Sequence, residues 1–503
     1  MVRLTDQARV VSLAAFWMAI WVTSLMAQVV PRALTLDEAI DLARRNNPGF
    51  LSTQNDEPSA DWRVREAYGA FLPSVSANAT GRYQGKGEVR VGTITLDNQA
   101  TGWATSTYSL NFNWRLDGNT IFGLSNARAS RRATQAGITA ADFDLESTVA
   151  AQYMTVLRAQ EGLEVAGRQV ERSDQNLRIV NTRVATGAAA GTEGTQAEVD
   201  LGRMEVQLLQ AERMLRQARL MLGEQIGLLL GEEVVLSSAF EVFEPDFDLS
   251  ALLQVAMSDH PSLDAFRARE GASRAQARAT TTSQYLPSIA VNAGISAYSQ
   301  QALNDAFILG GLDRSAQSQI SSCEFNNTLA NGLIGGLPNY TVQDCSAITV
   351  SPESQQAALA RNAQFPFDFN RNPFQVGLTI SLPIFTGFSR QLQVSQANNQ
   401  AHDAELNRRA EELRLRTQVT GAFDNLESAN LIVQAEARNR ELAETRLQLE
   451  QRRYALGASD LLLLLDAQTS LSLAEQSYLS AVYDFHYNLI ALEAAVGLPL
   501  RPR

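Results

Sequence analysis

The chain has 503 residues, a formal net charge of −12, three His and two Cys. That acidic balance argues against a nucleic-acid partner, which asks for a basic face. With 45% hydrophobic and 19% charged residues, the composition is neither that of a disordered chain nor that of a polytopic helical membrane protein.

The N-terminus carries Arg3 and Arg9, then an apolar run from Val10 to Met26, with Ala27 as a cleavage point. This is the layout of a secretory signal peptide over residues 1–27; an uncleaved membrane anchor is the alternative. No Cys lies near the cleavage site, so lipid anchoring is not indicated, and the protein is expected to be exported.

After the leader, "LTLDEAIDLARRNNP" reads as a helix with Thr35 as N-cap, ended by Pro48. "LPSV" at 72–75 opens a period-two run in which Val75, Ala77, Ala79 and Tyr83 alternate with polar residues. A second such run, "TYSLNFNW" at 107–114, sets Tyr108, Leu110, Phe112 and Trp114 on one face and small polar groups on the other. A helical pattern follows from Ala127 to Ala185, roughly 90 Å if continuous at 1.5 Å per residue. Val149, Val156, Leu163, Val170, Leu177 and Val184 fall in it at heptad steps. Gly187 and Gly191 break the pattern, and Leu201, Leu208, Leu215, Leu222 and Leu229 carry the next helix.

The same order then returns. A helix after Asp248 meets Pro261, and "LPSI" at 286–289 opens a run with Ile289, Val291, Ala293, Ile295 and Ala297 on one face. Phe374, Val376, Leu378, Ile380 and Leu382 form the fourth run. Ser389 to Ala455 would reach about 100 Å as one helix. Ala435, Leu442, Leu449 and Leu456 form one heptad series in it, and Leu464, Leu471, Tyr478, Phe485 and Leu492 form another beyond the break at Gly457. The chain is one unit written twice, residues 28–245 and 246–503, each a helix, two strands and a long helical hairpin. Strands of about 10 residues suit a tilted membrane crossing, and their polar, hardly charged second face suits a water-filled lumen. A soluble coiled-coil bundle explains the helices equally well but not the strands.

Nothing points to catalysis or a cofactor. His260, His402 and His486 are scattered without metal-ligand spacing, and no phosphate-cradling glycine loop or nucleophile elbow occurs.

These pieces together resemble the TolC family of outer-membrane channels. The resemblance runs from "LTLDEAIDLARRNNP" to "LIALEAAVGLPL" and rests on the doubled "LPS", "SLPIFTGFSR" at 381–390, "RRYALGASDLLLLLDAQTSL" at 452–471 and the final "GLPL". It implies an α+β membrane protein with two structural repeats: a homotrimer sharing a twelve-stranded outer-membrane β-barrel, four strands per subunit. The barrel continues into a long periplasmic α-helical coiled-coil barrel. Tyr108, Leu110, Phe112, Trp114, Phe374, Val376, Leu378 and Ile380 would then meet outer-membrane lipid. Two or four strands cannot close a barrel, so assembly is required on physical grounds; the number three comes from the family.

Under this resemblance the segments between paired strands become extracellular loops, a short one near 85–105 and a long polar one at 300–372. The long loop holds Cys323 and Cys345, for which a disulfide fits an oxidising compartment; two free thiols are the alternative. Family members meet a periplasmic adaptor at their hairpin tips, here Ala185, Thr186, Gly187 and Ala188, and Ala455, Leu456, Gly457 and Ala458. These glycines equally suit plain helix caps. Tyr454 matches the family's gate tyrosine, with Thr192 and Glu193 as partners across the tips, while Ser459 replaces the family's gate arginine. Asp466, and with less support Asp460, would form carboxylate rings favouring cations; ordinary polar-face residues are the alternative. The implied function is a passive gated exit duct of a tripartite efflux pump or type I secretion system, moving small molecules or proteins with energy from an inner-membrane pump. The rival reading is an outer-surface structural or adhesive coiled-coil stalk.

Overall fold

A computed structural model describes residues 33–86, 89–91, 94–96, 102–231, 234–238, 240–332 and 341–501. The leader read at 1–27 lies outside them. In chain order the first half holds β1 (Ala33–Leu34), α1 (Leu36–Asn46), α2 (Pro48–Gln54), α3 (Asp56–Gly69), β2 (Ser74–Gln84), β3 (Val89–Val91), β4 (Ile94–Leu96), β5 (Trp103–Leu116), α4 (Gly118–Ala185), α5 (Gly191–Ile226) and β6 (Val235–Leu236). The second half holds α6 (Leu249–Asp259), α7 (Pro261–Tyr285), β7 (Ser288–Ala302), α8 (Asp305–Gly332), α9 (Pro352–Asn362), β8 (Asn370–Arg371), β9 (Gln375–Ser381), α10 (Ser389–Ala455) and α11 (Leu461–Val496). Contacts group the described residues into two units. One holds those up to Asp61, Ala129–Arg274 and Asn399 onward; the other holds Trp62–Arg128 and Ala275–Asn398.

In the first unit the local signals act as their chemistry dictates. Thr35 caps α1 through Glu38 N, and the Glu38 carboxylate returns to Thr35 N, a closed capping box. Asp248 caps α6 through the amides of Ser250 and Ala251. One joint is built twice. Asn47 and His260 each precede a proline and hold nearly the same extended backbone, φ −65° with ψ 117° and φ −66° with ψ 125°. Asn47 Oδ1 accepts from Phe50 N at 3.0 Å, and its Nδ2 donates to Gln225 O at 2.8 Å. His260 Nδ1 accepts from Ser262 N at 3.1 Å, which leaves Nε2 as the donor to Ala494 O at 3.0 Å. Each long return helix ends beside its joint on a left-handed glycine, Gly227 at φ +79° and Gly497 at φ +88°.

The heptad residues Val149, Val156, Leu215, Leu222, Leu464, Leu471, Phe485 and Leu492 are buried in apolar clusters of this unit. The series Ala435, Leu442, Leu449 and Leu456 is not: these side chains are exposed. Helix α10 carries a second apolar stripe, Leu415, Val419, Leu426, Val433 and Leu447, and that stripe takes the interior of the subunit. The heptad spacing read from the sequence picks out the exposed stripe and misses the buried one.

In the second unit β2, β5, β7 and β9 form an antiparallel sheet in that order, with β8 extending β7's outer pairing. The fourth strand read at 374–382 is interrupted. Pro373 lacks a ladder N–H, the pairing register slips between β8 and β9, and Phe374 sits at that bulge rather than in the ladder. Helix α4 begins before the Ala127 read from the sequence, because Asp117 Oδ1 accepts from Thr120 N at 2.8 Å and caps it there. The long loop is largely helical, as α8 and α9, and Cys323 and Cys345 are joined by a disulfide with Cα atoms 5.8 Å apart.

Candidate functional site

Strand register decides what each face of the sheet shows. Val75 lies opposite Phe112, Ala77 opposite Leu110 and Ala79 opposite Tyr108. Across the next seam Tyr108, Leu110, Phe112 and Trp114 meet Ala297, Ile295, Ala293 and Val291. Ala293, Val291 and Ile289 in turn meet Val376, Leu378 and Ile380. One face of four strands is therefore an unbroken apolar field. Val376, Leu378 and Ile380 are 63%, 66% and 66% exposed, and Leu110 and Val75 are exposed as well. The opposite face carries Ser76, Asn78, Thr80, Ser109, Asn111, Asn113, Asn292, Ser296, Gln375 and Thr379. Aromatic groups edge the apolar field: Trp114 Nε1 donates to Phe71 O at 3.0 Å at one end, and Tyr108 stacks edge-on against Phe369 at the other.

The two hairpin tips, in the first unit, share one geometry. Gly187 at φ +76° and Gly457 at φ +77° let Ala188 N reach Arg183 O and Ala458 N reach Arg453 O, each at 2.8 Å. Ala185, Thr186, Gly187 and Ala188 are exposed, and so are Ala455, Leu456, Gly457 and Ala458.

Beside the tips, Tyr454 is 1% exposed and donates from Oη to Glu193 Oε2 at 2.8 Å. Glu193 Oε1 also accepts from Ala190 N at 3.3 Å, so one carboxylate holds the start of α5 and the end of α10. Burial, then the Glu193 carboxylate, pushes the Tyr454 phenol up to about 12. Thr192 is exposed and has no hydrogen bond of its side chain among the described residues.

The sequence reading missed Arg183, whose guanidinium lies 4.1 Å from the Tyr454 ring centre and donates to Tyr454 O. Arg183 stands as far before Gly187 as Arg453 does before Gly457, and that spacing was the available signal. Ser459 donates to the buried Glu450 at 2.8 Å, and Glu450 also takes Arg453 at 2.9 Å. One level deeper, a buried polar layer ties all four helices. Asn176 bonds Gln468 and accepts from Gln451, while Asp200 accepts from Gln468 at 3.2 Å and from Ser173 at 3.1 Å.

Asp460 is the N-cap of α11, accepting from Leu463 N at 3.0 Å. Asp466 is half-exposed and paired with Arg446, so its charge is locally compensated. Among the described residues no group of three or more His, Cys, Asp and Glu could hold a metal ion. No helix among them is long and apolar enough to cross a membrane.

The outer membrane efflux protein profile matches residues 39–228 and 347–498. The chain belongs to that family. As an outer membrane efflux protein it resides in the outer membrane and is an exit duct for efflux. Nodulation protein T of Rhizobium leguminosarum bv. trifolii is 22% identical over 505 residues, covering 98% of this chain and 89% of that one. Among solved structures, that of CusC superimposes with a TM-score of 0.67 at 19% identity, covering 92% of each chain. The open-state structure of the Neisseria gonorrhoeae MtrE outer membrane channel does so with a TM-score of 0.66 at 19% identity, covering 93% of this chain and 89% of that one. This efflux protein thus shares the α+β fold of TolC-type channels.

Proposed function

We propose that three copies of this efflux protein close a twelve-stranded barrel in the outer membrane and a helical tunnel in the periplasm. The observation that carries this is the apolar face of the sheet, which leaves Val75, Leu110, Ile295 and Val376, one on each of the four strands, exposed. Water penalises such a field at about 25 cal/mol per Å², and lipid removes that penalty. The free edges of β2 and β9 have no partner strand among the described residues, and closure with further copies satisfies them.

The helices support the same assembly. Val199, Val206 and Leu209 on α5 are exposed, as are Leu442, Leu449 and Leu456 on α10. The two stripes differ, so a contact between them is head-to-tail, the kind that builds a ring when its rotation closes. The stalk reading leaves the apolar sheet face without a partner.

Within this duct Tyr454 and Glu193 hold the entrance closed, together with Arg183. The tips 185–188 and 455–458 meet a periplasmic adaptor, and an inner-membrane pump supplies the energy. The adaptor opens the duct by binding the open arrangement more tightly than the closed one. The residues argue for conduction and against catalysis, and the two halves, 28–245 and 246–503, act as structural repeats. The test is Phe112→Arg combined with Leu378→Arg, followed by fractionation. We expect the double variant to be lost from the assembled outer-membrane fraction; normal assembly would overturn the barrel.

A further inference from the structure

The polar face of the sheet carries a one-sided charge. Along β2, β5, β7 and β9 it presents mainly Ser, Thr, Asn and Gln, with Trp103 and Tyr298 toward one end, two ionic side chains, Arg82 and Arg115, and no carboxylate. Both arginines are exposed, and neither has an ion-pair or hydrogen-bond partner among the described residues. Arg82 lies opposite Thr105 and Arg115 opposite Ala290, so the two stand near opposite ends of β5. At about 3.4 Å per residue they are roughly 34 Å apart along the strand. The nearest carboxylate in sequence to Arg115, Asp117, is engaged at the start of α4 with the amide and hydroxyl of Thr120. A chain of net charge −12 thus keeps acidic groups off this one face.

We propose that the barrel lumen is an anion-attracting stretch of the duct, ringed by Arg115 at the helix-side end and Arg82 at the other, and that it favours anionic solutes. This rests on the barrel reading, which makes the polar face the lumen. Repeated by the symmetry of the assembly, each arginine becomes a ring of like charge, the arrangement by which pores select anions. Guanidinium stays charged at every physiological pH, so the bias is permanent. Screening limits its reach: the Debye length is about 10 Å at 0.1 M salt and about 3 Å at 1 M. The preference is therefore strong in dilute salt and fades in concentrated salt.

The native cysteines are joined to each other, so a single reporter thiol at Asn113→Cys, on the same face two residues from Arg115, reads the local potential. Purified protein in liposomes is labelled with an anionic sulfonate thiol reagent and with a cationic trimethylammonium one at low salt. The anionic reagent should react faster, and Arg115→Gln should lower the anion-to-cation rate ratio by about sevenfold, the Coulomb effect of one charge at about 7 Å in water. The effect should vanish at 1 M salt. A ratio that Arg115→Gln leaves unchanged, with the thiol readily labelled, would overturn the proposal. A thiol that neither reagent reaches would instead sink the lumen reading beneath it. In planar bilayers, Arg82→Gln with Arg115→Gln should move the reversal potential toward cation preference in dilute salt. An unmoved potential in a conducting variant would also overturn the proposal.

Discussion

Tyr454 and Glu193 are joined by a 2.8 Å hydrogen bond between the end of one hairpin's first helix and the start of the other hairpin's second helix. The phenol is buried, so the bond works in a low dielectric and is worth about 1.5–3 kcal/mol as a link to a charged partner. Tyr454→Phe keeps the ring under Arg183 and removes only this link. The expected outcome is a higher open probability in single-channel recordings, and Glu193→Gln should raise it less, since an amide oxygen still accepts. Unchanged gating in Tyr454→Phe would separate this pair from closure.

The same pair fixes an alkaline limit. The folded-state phenol titrates near 12, above its ordinary value of 10, so the folded state favours the neutral form. Its contribution is whole below pH 10 and disappears as pH rises through 12. Thermal stability should therefore keep this contribution to about pH 10 and lose it above, and Tyr454→Phe should flatten that loss in melting curves.

His486 sets an acid limit. It is 3% exposed among Phe240, Tyr483 and Phe485, and its Nε2 has no partner among the described residues. Burial, with Arg501 nearby, lowers it to about 4. The neutral ring is stabilised in the fold, so this contribution is full above pH 6.5 and lost as pH falls through 4. A depression of that size corresponds to about 3 kcal/mol. Thermal melting should weaken over that interval, and His486→Phe should remove most of the slope. A slope kept in full by the variant would place the acid sensitivity elsewhere.

Gly227 combines a left-handed backbone with a close approach. A Cβ there would stand 2.3 Å from Asn46 O. Backbone must move, and Gly227→Ala should cost well over the ~1 kcal/mol of the left-handed conformation alone. Loss of melting temperature checks it, and Gly231→Ala, where a Cβ meets open space, is the control.

Much of this architecture was legible in the sequence because it rests on local chemistry. Thr35, Asp248, Pro48, Pro261 and the tip glycines announce helix ends by mechanisms that need no tertiary partner. The four strands were legible because alternation is forced when two faces meet different surroundings. What escaped the sequence was relational. The exposed series at Leu442, Leu449 and Leu456 differs from the buried one only by which neighbour it meets. Arg183 is one arginine among many until the ring of Tyr454 lies beneath it. The helices at 305–332 and 352–362 lack a strong apolar stripe, and their composition resembles that of a loop. Phe374 left the ladder because Pro373 precedes it, a local signal that the alternation masked.

The two exposed helical stripes predict a separable assembly defect. Leu449→Asp on α10 and Val206→Asp on α5 each put a charge on an apolar edge without touching a subunit's own buried core. Each should shift purified protein from assembled to single copies in size-exclusion chromatography with light scattering, with helix content unchanged. Assembly at wild-type level in both variants would mean that these stripes do not meet.

The most direct measurement is native mass spectrometry of the mature protein extracted in detergent from the outer membrane. The account predicts three copies as the dominant species, held together without added cross-linker. A single copy or a pair recovered from the soluble periplasmic fraction would contradict it, because the apolar face of the sheet would then have to be covered by protein.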